Sequence, residues 1–209
     1  MTPALTNPAK QWGPGRIPAV PYVAMWSAET EERPKVIETS RGVGFADERI
    51  LDRDTHGVLW TRMTMAPGRG KPLFAEIHAL RQRRAMQRML CQVCAGPADM
   101  SDDDGALWLL SDESVEGVKD EPLTVAEPPI CAACAEQSMR VCPRLRQGRS
   151  LLRAQLAPVV GVHGAIYAPA IQGPRLIDVR AVGFAEPAIT RTVASKLLRQ
   201  LIHWSPTFL

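Results

Sequence analysis

Cys91-Gln92-Val93-Cys94 and Cys131-Ala132-Ala133-Cys134 are the residues of this chain best suited to chemistry. Two residues between cysteines let both thiolates of a pair turn toward one metal ion. Two such pairs supply the four sulfurs of a tetrahedral site, the set that structural Zn2+ prefers. Four thiolates leave no position open for water or substrate, so this reading gives the zinc a structural role. Zinc sites of this kind couple metal binding to folding, at about 10–16 kcal/mol apparent. The fifth cysteine, Cys142, stands just before Pro143 and reads as a core thiol at a helix end. Five cysteines leave one over from any disulfide framework, so a reducing, cytoplasmic setting is expected.

No catalytic residue is assigned. His56 falls in a turn sequence, His78 within a helical stretch, His163 near glycines and His203 near a helix end. None has a nucleophile or carboxylate at a diagnostic spacing. A phosphate-binding glycine loop and a dinucleotide fingerprint are both missing, so no small-molecule cofactor is expected. Asp102, Asp103 and Asp104 precede Gly105 and read as a solvated turn rather than a cation site. The N-terminal stretch has no basic and apolar leader pattern, and no apolar run approaches the roughly 18 residues that cross a bilayer. No membrane partner is expected.

Charge is divided along the chain. Residues 95–130 hold ten acids against Lys119 alone, a net −9, which leaves +12 for the rest of a chain whose total is +3. Arginine outnumbers lysine 20 to 5. The fields are opposite, and a binding partner has to accommodate both.

The elements expected to position the cysteines are those of an α+β protein: small mixed sheets, two main helices and the embedded zinc module. Residues 1–40 are studded with proline and carry Trp12, Tyr22 and Trp26, which predicts an extended arm lying on the body. Residues 41–90 predict a hairpin of 43–46 with 58–61 about the turn Asp54-Thr55-His56-Gly57, then a helix over about 73–90 after Pro72. In residues 91–143, strands are expected at 107–110 and 123–126, paired as a hairpin, and a helix from Cys131 to Val141 stopped by Pro143. Residues 144–209 predict strands at 158–167 and 175–184. A helix over about 188–203 follows, on the i+4 spacing of Ile189, Val193, Leu197 and Leu201. Residues 41–209 are expected to make one body.

The order of cysteine knuckle, hairpin, then second cysteine pair leading into a helix resembles the treble-clef group of zinc folds. In that resemblance the acidic stretch between the pairs is an insertion. The chain is also similar to a group of uncharacterised actinobacterial proteins that share its Leu90-Cys91-Gln92-Val93-Cys94-Ala95-Gly96-Pro97-Ala98-Asp99 and Leu107-Trp108-Leu109-Leu110 patterns. That resemblance implies a shared fold and no activity.

Many HNH nucleases also build on a treble clef pinned by two such cysteine pairs. They need a histidine on the hairpin and a His or Asn on the helix, yet residues 95–130 contain neither, and Asn7 is the only asparagine. The balance falls against an enzyme. A second possibility is contact with DNA or RNA phosphates. Candidate residues are Arg69 and Lys71 in a glycine loop, Arg81, Arg84 and Arg88 on a helix stripe, and Arg144, Arg146 and Arg149 after the zinc helix. A third is a protein–protein adaptor that uses its split charge.

Overall fold

The structure is a computed structural model that describes residues 20–115 and 122–209. Half of the expected proline-rich arm, with Trp12, and the middle of the acidic stretch lie outside the described residues. The chain opens with β1 (Ala24–Trp26), β2 (Glu31–Glu32), β3 (Val36–Thr39), β4 (Gly42–Phe45), β5 (Leu59–Trp60), β6 (Arg62–Met63) and β7 (Pro72–Ile77), followed by helix α1 (Ala79–Arg88). After the first cysteine pair come β8 (Met100–Ser101), β9 (Gly105–Ser111) and β10 (Leu123–Val125). Helices α2 (Ala132–Val141) and α3 (Pro143–Gln147) precede β11 (Arg149–Leu156), β12 (Val159–Ala168), β13 (Arg175–Gly183) and β14 (Thr192–Pro206). The architecture is mixed α+β, as the sequence predicts, and β12 and β13 fall where strands are expected.

The long strand β14 runs through the largest sheet, ordered β13-β12-β14-β11-β9-β8, with β10 and β5 also pairing β14. β11 and β12 follow one another along β14 in antiparallel pairing, from Leu152↔Pro206 to Ile166↔Thr192, with register shifts at Val159/Gly161 and at His163/Gly164. Across the break between them the Gln200 N–H donates to the Pro158 carbonyl at 3.0 Å.

This region corrects the expected helix over 188–203. A register shift opposite His163/Gly164 leaves Ser195 without a partner on β12. Thr192 and Ala194 are buried in alternation, and the bulge resumes that face at Leu197 and Leu201. An inward face delayed by one residue produces i+3 and i+4 spacings, which imitate a helix.

β14 meets β5 at Val193 and Ala194 and β10 from Arg199 to Leu201. Between these contacts the Leu197 peptide would be unpaired, and α1 fills the gap with a side chain. The Gln82 amide donates to the Leu197 carbonyl at 2.9 Å and to the Ala126 carbonyl at 2.7 Å, while its Oε1 accepts the Leu197 N–H at 2.9 Å. Gln82 is fully buried and acts as a substitute for a strand backbone. Arg199 Nε donates at 2.8 Å to the Met86 carbonyl in the last turn of α1, fixing its other end.

The helix is shorter than its sequence suggests. Residues 72–77 form β7, which pairs β1 through Trp26↔Pro72 and Met25↔Leu73. A proline that opens an edge strand loses no hydrogen bond it needs, so Pro72 serves a strand here. α1 begins only after His78 and buries Ala79, Arg81, Gln82, Ala85 and Met86.

Two further pairings differ from expectation. β4 pairs β3 and β5 pairs β14, so 43–46 and 58–61 do not form a hairpin together. β9 pairs β8 and β11, while β10 pairs β14, so 107–110 and 123–126 are not partners either. Both expected turns are present. Asp54 Oδ1 accepts the His56 and Val58 N–H groups, and Gly57 and Gly105 take φ of 76° and 77°, conformations that glycine adopts without strain.

β9 is buried on both faces. Ala106, Trp108 and Leu110 point into the main core with Trp60, Met86, Leu123, Leu152 and Leu201. Leu107 and Leu109 point into a second core that contains Cys91 and Cys134.

Replacing Gln82 by Leu leaves the Leu197 N–H and carbonyl and the Ala126 carbonyl buried without partners. The variant should lose about 3 kcal/mol or more in urea unfolding, since each such group costs about 1–3 kcal/mol. A loss below about 1 kcal/mol would show that Gln82 does not replace the missing strand.

Candidate metal centre

The first cysteine pair sits in a turn braced from both sides. Cys91 N–H donates to the Gly96 carbonyl at 2.7 Å and Ala95 N–H to the Cys91 carbonyl at 2.9 Å. Ala95, not Gly96, takes the left-handed conformation, with φ of 60°. Gly96 lies against the sulfur, where a Cβ would be 3.4 Å from Cys94 Sγ. Outside the turn, Tyr22 and Val23 donate N–H bonds to the Val93 and Gln92 carbonyls, and Gln92 donates to the Pro129 carbonyl. No signal in the sequence ties the N-terminal arm to this turn.

The second pair stands at the start of α2. Cys131 is the N-cap, in extended conformation, and Cys134 lies in the first turn. Free N–H groups and the helix dipole at this end stabilise negative sulfur. Asp99 and Leu107 tie the two halves together: Asp99 N–H donates to the Ile130 carbonyl, and Ile130 N–H to the Leu107 carbonyl.

The result is a cluster in which the Sγ atoms of Cys91, Cys94, Cys131 and Cys134 all lie within 4.8 Å of one another. Sulfurs about 2.3 Å from a tetrahedral ion sit about 3.8 Å apart, so the donor set fits one metal ion. The Cys94–Cys131 separation of 3.9 Å is already at that value. The Val93 N–H points at Cys91 Sγ at 3.4 Å, as backbone donors do around thiolate ligands. Cys91 and Cys134 are buried and Cys94 and Cys131 half-buried, enclosed by Val93, Leu107, Leu109, Ile130 and Leu151. Among the described residues no second group of His, Cys, Asp and Glu comes together in this way.

The protonation of Cys91, Cys94 and Cys134 explains why a cation suits the cluster. Cys94 is pulled down to about 2 by hydrogen bonds from Cys134 and then Cys91. Cys134 is pushed far up, first by the bond it shares with Cys91, then by Cys94 and burial. For Cys91 the bond with Cys134 pulls downward, but Cys94 and burial outweigh it and push the thiol up to about 12. Negative charges gathered in a dry site repel, so with Cys94 charged the Cys91 and Cys134 thiols hold their protons more tightly. A divalent ion reverses that preference and releases protons as it binds.

The expected phosphate-contacting residues differ in exposure. Arg81 is corrected to a core residue. It is 3% exposed, and its guanidinium grips Glu29 with contacts of 2.5 and 2.6 Å and the Ala24 carbonyl at 2.7 Å. Arg84 is half-buried beside the Tyr22 hydroxyl, while Arg88 is exposed. Arg69 and Lys71 are exposed in their loop, and Arg144, Arg146 and Arg149 are exposed on and after α3. Of the acidic stretch, Asp99 turns back onto Arg153 at 2.5 Å, and Asp102, Asp103 and Asp104 form the exposed β8–β9 turn.

The histidines are scattered. His78 is buried, with Nε2 3.0 Å from the Thr64 carbonyl, and burial lowers its pKa. His56 stacks on Phe184 with ring centroids 5.1 Å apart. Cys142 caps the junction of α2 and α3 and is half-buried. No described helix is long and apolar enough to cross a membrane. No family model, curated protein or solved structure matches the chain.

Cys94→Ser or Cys134→Ser should abolish stoichiometric metal binding and lower the unfolding temperature of the whole chain, because the cluster shares β9 with the main core. Metal analysis of the purified variants checks this, and normal metal content in either would refute the ligand set. Arg81→Met should cost about 3–5 kcal/mol by leaving Glu29 buried without its partner. Burial favours a raised Glu29 pKa, but the Arg81 bonds and the Trp26 and Ala66 N–H groups hold it below 4.5. That stability is complete above pH 4.5 and is lost as pH falls through the lower folded value. Urea unfolding of parent and variant should therefore differ most at neutral pH and converge on acidification.

Proposed function

We propose that the chain is a non-catalytic, zinc-stabilised binding protein. The observation that carries this is the four-sulfur cluster, whose donors fill a tetrahedral shell and leave no position for a reacting group. Zinc, which takes four thiolates in a tetrahedron and has no redox chemistry of its own, is the ion of choice for a closed site of this kind. The order of cysteine turn, β8–β9 hairpin and a second pair at the start of α2 supports a treble-clef-like module, with the acidic stretch inserted before α2.

The partner in this reading is the phosphate backbone of DNA or RNA, met by the surface around α2, α3 and the start of β11. Arg140, Arg144, Arg146 and Arg149 are exposed there within ten residues of one another. Arg146 donates to the Arg140 carbonyl at 2.7 Å through Nη2, which gathers these groups at the C-terminal end of α2. Arg140 also meets Glu136 at 2.9 Å, an exposed pair that phosphate can displace at little cost. With Arg81 in the core and Arg84 half-buried, the α1 stripe contributes at most Arg88, and Arg69 and Lys71 belong to the loop before β7.

A fluorescence anisotropy titration against a generic duplex and a generic single strand, at two salt concentrations, tests this. Affinity should fall steeply with salt. Joint replacement of Arg144, Arg146 and Arg149 by Ala should weaken binding of every sequence alike. It should also reduce the log–log salt slope by about 0.9 for each duplex phosphate that is no longer neutralised. Absence of binding at low salt would point to a protein partner instead.

A further inference from the structure

β13 is the outer strand of the largest sheet. It pairs β12 from Gly161↔Gly183 to Ala168↔Arg175, and among the described residues no strand pairs its other edge. Arg175 through Ala181 are all exposed, and Leu176, Ile177 and Val179 are 50%, 55% and 54% exposed. A long edge with apolar side chains and no strand beside it is a template for another strand. Its own side chains cap part of that edge, the Val179 N–H donating to Asp178 Oδ1 at 2.8 Å and Arg180 Nη1 to the Ala181 carbonyl at 2.6 Å, and a register shift opposite Ile166/Tyr167 interrupts the strand at Ile177. Edges avoid such pairing by bulges, prolines or charges, and like charges repel their own copies.

The charges of β13 do the opposite. Asp178 and Arg180 flank Val179, so an antiparallel pairing of β13 with itself, two-fold through Val179, sets each Asp178 opposite the other copy's Arg180. A two-fold through Asp178 would set carboxylate against carboxylate, and one through Arg180 guanidinium against guanidinium. Charge selects the Val179 register. In the single chain Asp178 and Arg180 are 3.5 Å apart, and Arg180 also reaches Glu186 at 3.0 Å, so the groups already stand together at the strand surface.

We propose that two copies of this chain dimerise by antiparallel pairing of β13 about Val179, joining their sheets into one. The occupant of the edge is a second copy because the sequence of the edge complements itself. This pairing uses neither the cysteine cluster nor the arginines around α3, so it stands or falls separately from metal and nucleic-acid binding.

Sedimentation velocity across a concentration series tests it with the full chain. The parent should be a dimer. Arg180→Asp should make it monomeric over the same range, with metal content and circular dichroism unchanged, and Asp178→Arg/Arg180→Asp should restore the dimer by exchanging the pair. Val179→Lys, which places two ammonium groups on the axis and leaves Glu186 its partner, should also give monomer. A monomeric parent, dimers that persist in both single variants, or a double exchange that stays monomeric would overturn the proposal.

Discussion

Four sulfurs held within 4.8 Å of one another set a condition that the surrounding chain has to meet: the two cysteine pairs, 36 residues apart, must be brought to one point and kept there. β9 meets it. Its Leu107 and Leu109 wall the cluster while Ala106, Trp108 and Leu110 complete the main core, so one strand belongs to both interiors. Backbone bonds from Leu107 to Asp99 and from Ile130 to Leu107 fasten each cysteine segment to that strand. The cysteine cluster and the main body therefore share one strand.

The main body has its own point of closure. β14 pairs β12 and β11 in succession along its length, but its other contacts come from separate pieces: β5, Gln82 and β10 in turn. A glutamine side chain in the role of a strand lets a helix dock directly on a sheet where a peptide would otherwise go unpaired. The same helix carries Arg81, whose buried pair with Glu29 fixes β1 and its following turn against α1. Charged groups on this helix thus serve the interior as much as the surface.

The cysteine pairs, α2 and the strands β12 and β13 are legible in the sequence because each is governed by local chemistry: ligand spacing, a proline stop, and β-rich runs between turns. β14 is not, because the bulge at Ser195 converts a period of two into spacings of three and four, and Leu197 and Leu201 fit a helix equally well. Pro72 marks a helix start in many chains, and only the pairing with Trp26 makes it a strand residue here. The burial of Arg81 is hidden for a related reason. Its partner Glu29 lies 52 residues away in the chain, beyond the reach of any periodicity. Local pattern reveals ligands and turns well, and it fails where a distant segment decides which face is inside.

Closure of the sulfur site is what separates a structural metal from a catalytic one. X-ray absorption at the zinc edge of the purified protein measures that closure directly. A closed site gives a shell of four sulfurs at about 2.3 Å and no lighter atom. Nitrogen or oxygen in that shell would mean an open or mixed site, and would contradict the structural role assigned to Cys91, Cys94, Cys131 and Cys134.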